Sequence, residues 1–280
     1  MRACAIIVSF RTGPALAACL ASVSEAHRLD EIIIVDNGNA AAESAALDGF
    51  AASHAQARVL RGQGNIGFAA ACNLGARAAA SEALIFLNPD VAFAADAAPS
   101  LLAALAGAPP PAIVGGDLRD AEGRPERGAR RERLTLWRAL VSFTGLSRLE
   151  GLSSAFRDFN RHRDPLPSAP IRVSAVSGAL MCIRRADFFA LGGFDERYFV
   201  HVEDVDLCRR AEDASWPVLF APGPHGVHVR STADVPAAEV ERHKARGFAR
   251  YFAKFASSPI ERALASVAGG LLMLILPMRR

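Results

Sequence analysis

The chain has 280 residues, 51% of them hydrophobic and 22% charged, so it can bury a sizeable core as one large α/β domain or two smaller ones. Its net charge of +3 suits an anionic partner, such as a diphosphate or a lipid headgroup, and demands no nucleic acid. The mean hydropathy of +0.18 leans toward a membrane protein, but much of it comes from alanine, which fills helices without making them lipid-soluble, so the composition reads as globular.

In chain order, the apolar run Ala3 to Val8 meets Arg11-Thr12-Gly13-Pro14 with no cleavage-site pattern and reads as a first strand over 3–9, with no secretion implied. A helix is expected over 14–26, a strand over 31–35, a helix over 40–54, a strand over 57–60, a helix over 67–80 and a strand over 83–87. That alternation means βαβ units and an α/β fold with a mostly parallel central sheet flanked by helices. Residues 119–170 change texture, with many arginines, scattered prolines and glycines and patchy periodicity from Leu134 to Phe159, and read as an excursion that shapes an acceptor side or forms a mobile lid. The core resumes with a β-rich run over 171–183, helices over 184–191 and 203–213, a strand over 216–220 and a basic amphipathic helix over 237–256.

Ala263 to Pro277 is almost wholly apolar and precedes Arg279-Arg280, yet falls short of the ~20 residues a spanning helix needs, so this tail is expected to lie on a membrane rather than cross it. The organisation is therefore one catalytic domain over 1–258 and a helical tail over 259–280. Five cysteines, Cys4, Cys19, Cys72, Cys182 and Cys208, lie far apart with no C-x-x-C pair, most of them among apolar neighbours, which fits a reduced, cytosolic compartment.

The strands end in polar or turn-forming residues: Ser9, Asp36-Asn37-Gly38, Gly62 to Gly67, and Asn88-Pro89-Asp90. Ligands of open α/β sheets bind outside the carboxyl ends of strands, so these four stations should face one crevice. Asp36 could accept a hydrogen bond from the ring N–H of a uracil or thymine, or simply form a turn. Gly62-Gln63-Gly64-Asn65-Ile66-Gly67 satisfies the G-x-G-x-x-G dinucleotide pattern, although two βαβ units precede it where the fingerprint normally sits in the first. Asp90 could hold a divalent cation that neutralises a departing diphosphate, or close a proline turn. Glu203-Asp204 opens a helix, where acid caps free N–H groups, but a rigid carboxylate at a cleft is also placed as a general base. His228 is either structural or a further metal or phosphate partner.

Together these residues resemble glycosyltransferase family 2, in particular its bacterial rhamnosyltransferase-like branch. The resemblance spans about residues 3 to 255 and is carried by Ile6 to Phe10, Ile34 to Gly38, Asn65 to Asn73, Leu87 to Asp90, Ser177 to Met181, Gly192 to Glu196 and Glu203 to Leu207. It implies a GT-A fold and an inverting transfer, assisted by Mg²⁺ or Mn²⁺, from a nucleoside-diphosphate sugar to a hydroxyl of a glycan or lipid-linked glycan in cell-surface polysaccharide synthesis. On that carry-over Ser9 and Asp36 contact the base, Asn65, Gly67, Asn73 and Asn88 serve the donor, Asp90 and His228 hold the metal, and Asp204 beside Glu203 is the catalytic base. The branch points to dTDP-rhamnose, with UDP-galactose and other UDP-hexoses behind it, and to an enzyme of the cytoplasm attached peripherally to the inner face of the plasma membrane. The family's first metal-motif aspartate is Asn88 here, and Arg11 stands where many relatives carry asparagine. Two readings of other classes stand beside it: an NAD(P)-dependent oxidoreductase built on the Gly62 to Gly67 loop, and a non-catalytic nucleotide-sugar-binding module.

Overall fold

The computed structural model describes residues 1–229 and 234–275. The chain begins with β1 (Ala3–Ser9), α1 (Pro14–Ser24), β2 (Glu31–Asp36), α2 (Ala41–Ser53), β3 (Ala57–Leu60), α3 (Phe68–Ala78) and β4 (Ala83–Leu87), the alternation expected from the sequence. Every residue of β1 and of β4 is buried, as strands covered by helices on both faces require. Pro14 opens α1, where its missing N–H is no loss. Gly75 lets α3 lie close on the sheet, since a Cβ there would meet Ile6 at 2.7 Å.

The chain continues through β5 (Val91–Phe93), α4 (Ala97–Gly107) and β6 (Ile113–Arg119), none of which the sequence reading placed. Two glycines interrupt the apolar run of β6, and packing explains both: a Cβ on Gly115 would meet Val176 at 2.3 Å, and one on Gly116 would meet Leu180 at 2.4 Å. Within the excursion lie β7 (Arg130–Arg131) and α5 (Leu136–Thr144), followed by short 3-10 turns at Leu146–Leu149 and Ser154–Phe156. The Thr135 hydroxyl caps α5 by accepting from the Arg138 N–H at 3.1 Å, and left-handed Gly145 ends it.

Next come β8 (Ile171–Arg172), β9 (Ala175–Val176), β10 (Leu180–Arg184), α6 (Arg185–Ala190), α7 (Glu203–Asp213), β11 (Val218–His228), α8 (Ala237–Phe255) and α9 (Pro259–Ile275). The strand expected over 216–220 thus runs on to His228, through an irregularity between Ala221 and Gly226. The last five residues of the apolar tail, Arg279-Arg280 among them, lie outside the described residues.

The main sheet has nine strands, ordered β3-β2-β1-β4-β10-β6-β11-β5, with β8 also paired to β11. It is parallel from β3 to β4 and again between β6 and β11, while β10 runs antiparallel between β4 and β6. The parallel half therefore carries the stations: Ser9 pairs in register with Asp36, and Ile7 with Leu87 just before Asn88. A second apolar cluster joins Leu134 and Phe159 of the excursion to Val202 and Val205 at the start of α7 and to Phe248 and Tyr251 of α8. Helix α9 packs on α8, where a Cβ on Gly269 would meet Ala249 at 2.9 Å and Ala265 is buried. All five cysteines are free and buried.

Candidate active site

The first two stations form one network. Asn39 bridges them: its Oδ1 lies 3.3 Å from the Ser9 hydroxyl, and its Nδ2 donates to the Asp36 Oδ1 at 2.9 Å. The same oxygen accepts from the Asn39 N–H at 3.0 Å, and Asp36 Oδ2 accepts from Ser44 at 2.7 Å. Burial works against ionisation of Asp36, but the hydrogen bonds from Asn39, Ser44 and Gly38 outweigh it and hold the carboxyl below its ordinary value. A charged acceptor at a strand end suits recognition of a ring N–H.

The Gly62 to Gly67 loop folds back onto β2. Gln63 Nε2 donates to the Asp36 carbonyl at 2.9 Å, and Asn65 Oδ1 accepts from Asn37 Nδ2 at 2.9 Å and from the Gly67 N–H at 3.1 Å. Gly67 has φ 84 and ψ 167, a region that in practice only glycine occupies. From there the Phe68 N–H donates to the Phe199 carbonyl at 2.6 Å, tying the loop to the segment before α7. Asn73, expected on the donor, faces elsewhere: its amide bonds the N–H and the carbonyl of Phe194 at 2.9 and 2.8 Å and the Glu196 carboxylate at 3.0 Å. Buried as it is, Asn73 commits both ends of its amide to the Gly193-Phe194 turn.

At the fourth station β11 returns His228 to Asp90. His228 Nε2 lies 3.1 Å from Asp90 Oδ1, and Nδ1 lies 2.9 Å from Glu126 Oε2. Burial opposes protonation, yet the two carboxylates push the imidazole up to about 9. Glu126 was not among the expected residues. It lies in the excursion with no periodicity to mark it, and only topology brings it here, through the Glu126 N–H donating to the Leu118 carbonyl at the end of β6.

A further acidic station, Glu203-Asp204, opens α7. Asp204 accepts through Oδ1 from the Val205 N–H at 2.8 Å, and through Oδ2 from the Gly178 N–H at 2.9 Å and from Arg131 Nη1 at 3.0 Å. Arg131, on β7, is a second residue that sequence reasoning missed. Glu203 is buried, and its Oε2 has no hydrogen-bond partner among the described residues. Burial and then the neighbouring Asp204 charge raise its pKa well above the ordinary glutamate value. His201 and Val202, just ahead of the helix, are left-handed at φ 68 and 74, an unusual state for a β-branched residue. The two acidic stations meet through one dipeptide: Gly178 donates to Asp204, while the adjacent Ala179 carbonyl accepts from the Asn88 N–H at 3.0 Å.

The carboxyl ends of the parallel strands thus gather a charged carboxylate, a glycine-asparagine loop and an Asp-His pair near a helix-start carboxylate. The family model described as Glycosyl transferase family 2 matches residues 4–162. The chain belongs to this family. It is 28% identical over 254 residues to the N-acetylglucosaminyl-diphospho-decaprenol L-rhamnosyltransferase of Mycobacterium tuberculosis (strain ATCC 25618 / H37Rv), which covers 85% of this chain and 80% of that relative. Among solved structures it is similar to GalNAc-T7 with UDP, GalNAc and Mn²⁺, with a TM-score of 0.64 at 17% identity over 94% of this chain. The chain spans about half that protein's length, 51%. It is also similar to the mannosyltransferase PcManGT from Pyrobaculum calidifontis in complex with GDP-Man and Mn²⁺, with a TM-score of 0.59 at 18% identity over 99% of this chain and 71% of that one. The fold is thus GT-A, and this family 2 chain is a glycosyltransferase of the rhamnosyltransferase-like branch that uses a nucleotide sugar. The Gly62 to Gly67 loop belongs to that fold, and the dinucleotide reading of it falls away.

Proposed function

We propose that this glycosyltransferase moves rhamnose from dTDP-rhamnose, with inversion, to a hydroxyl of a lipid-linked glycan. The observation that carries the mechanism is the joining of Asp204 to the Asn88–Asp90 turn through Gly178 and Ala179, which sets a base beside the diphosphate station. Asp204 takes the acceptor proton, the freed oxygen bonds to the anomeric carbon from the far side, and the bond from that carbon to the diphosphate oxygen breaks, its electrons leaving with dTDP. Ser9 and Asp36 face the base, Asn65 and Gly67 shape the ribose and phosphate side, and Asn88 lines the turn above. Rhamnose and the lipid-linked acceptor are supported by the mycobacterial relative, whose name states both.

Asp90 and His228 fit a divalent cation. Their oxygen and nitrogen stand 3.1 Å apart, close to the ~3 Å separation of adjacent ligands around an ion bound at about 2.1 Å. Glu126 on Nδ1 orients the ring so that Nε2 faces Asp90, as a carboxylate behind a metal-binding histidine does. Mg²⁺ or Mn²⁺ bound there would neutralise the charge developing on the departing diphosphate.

We further propose peripheral attachment to the inner face of an anionic membrane. On α9, Ile260, Leu264, Val267, Leu271 and Leu274 form a stripe in which each residue is more than half exposed. Beyond Arg262 the described part of the helix carries no charge, so its flanks lack the polar rim a soluble partner helix would meet. The basic helix α8, with exposed Arg242 and Arg246, lies against it and supplies attraction to anionic headgroups. No helix among the described residues is long and apolar enough to cross a membrane.

The test is a screen of dTDP-rhamnose, UDP-galactose, UDP-glucose and other UDP-hexoses with the purified chain, a prenyl-diphospho-N-acetylglucosamine acceptor and Mn²⁺ or EDTA. Metal-dependent release of dTDP from dTDP-rhamnose is expected. Release of UDP from a UDP-hexose instead would overturn the sugar, and binding without turnover of any donor would support a non-catalytic module.

A further inference from the structure

We infer that Arg131 is a positioning residue for the transfer step, holding Asp204 in the orientation from which it accepts the acceptor proton, and that this is one contribution of residues 119–170 to the reaction. The inference rests on the reading of Asp204 as the base. Two of the three donors on that carboxylate are backbone N–H groups, of Gly178 and Val205, which come with the fold of any chain at these positions. The third is the Arg131 guanidinium, the one side chain among the described residues that hydrogen-bonds Asp204.

The three bonds are unevenly divided. Oδ2 accepts two and Oδ1 accepts one, so Oδ1 keeps a lone-pair direction free to receive a proton. Without Arg131 the carboxylate loses its one side-chain partner among the described residues and is left beside the buried Glu203, with Oδ2 half-emptied.

Arg131 is itself held on both sides. Its carbonyl accepts from the Ser174 N–H at 3.1 Å, its strand pairs with Ala175 of β9, and it bridges to Asn160 on the other flank. The apolar cluster that joins Leu134 and Phe159 to Val202 and Val205 fixes the excursion against the first turn of α7. A guanidinium carried on such a support aims its donor rigidly, and misplacing a catalytic group by an ångström can cost on the order of 10²-fold in rate.

The test is a double-mutant cycle on kcat in the full-length chain, with the donor found by the screen above and prenyl-diphospho-N-acetylglucosamine as acceptor. Asp204→Asn should lower kcat by ~10²–10⁴-fold, the usual weight of a general base. Arg131→Ala should lower it by about 10–100-fold with donor KM within about twofold, and Arg131→Lys should recover part of the loss. The double variant should be no slower than Asp204→Asn alone, because residues that act as one unit are not additive. Losses that multiply would show that Arg131 acts elsewhere, and wild-type kcat in Arg131→Ala would end the inference outright. Should Arg131→Ala fail to fold, Arg131→Lys is read against Asp204→Asn in the same way. Full transfer by Asp204→Asn would instead bring down the base assignment itself, a result distinct from either outcome at Arg131.

Discussion

Gly67→Ala tests how the Gly62 to Gly67 loop is bonded to the segment before α7. The substitution forces an alanine into φ 84, ψ 167, which costs on the order of 1–3 kcal/mol in backbone strain. Its Cβ would also lie 2.6 Å from the Phe199 carbonyl oxygen and 2.8 Å from that residue's ring, so backbone and not merely a flexible side chain must move. Overpacking of this kind costs roughly 1–3 kcal/mol. The bond from the Phe68 N–H to the same carbonyl is stretched as Phe199 retreats, at a cost of about 1 kcal/mol. The expected loss is about 3–7 kcal/mol, read as a lower urea midpoint with unchanged slope. Because Phe199 leads into His201, Val202 and Asp204, kcat should fall along with donor affinity. A Gly67→Ala variant within about 0.5 kcal/mol of wild type, the range of an ordinary surface substitution, would refute the close approach of loop and segment.

Other perturbations separate the remaining roles. Glu203 has a folded pKa raised above the ordinary 4.5, so the unfolded state releases its proton first and stability falls as pH climbs above that value. Glu203→Gln removes this dependence: urea midpoints of variant and wild type should lie close together near pH 4 and separate by pH 8 with the variant the more stable, and parallel curves would contradict a buried neutral Glu203. Glu126→Gln weakens the group behind His228, and the Mn²⁺ concentration for half-maximal donor turnover should rise by ~10–100-fold, whereas an unchanged requirement would place the ion elsewhere. Val267→Glu with Leu271→Glu puts two charges in the exposed stripe of α9. Flotation with phosphatidylglycerol-containing vesicles should then be lost while transfer to a short-chain, water-soluble acceptor persists; unchanged flotation would refute the membrane face.

Much of this architecture was legible in sequence because its signals are local. The strand-helix alternation over the first 87 residues and the helix over 203–213 follow from short apolar runs and the turn-forming residues between them, and the structure reproduces them. β6 escaped because Gly115 and Gly116 break its apolar pattern, and the reason for those glycines is the approach of Val176 and Leu180 from distant chain. Asn73 sat within a motif that suggested a donor contact, yet only the fold shows Phe194 taking up both ends of its amide.

The sequence by itself determined the family, the parallel half of the sheet and the placing of acidic residues at strand and helix ends, since these depend on periodicity and on motifs within a few residues of one another. Tertiary structure alone decided which partners complete them. Glu126 reaches His228 across 102 positions, Arg131 reaches Asp204 across 73, and a Gly178-Ala179 peptide spans the two acidic stations. The orienting groups of this site come from an irregular arginine-rich segment whose local pattern carries no trace of the job, because their geometry exists only once the sheet has closed the distance between them.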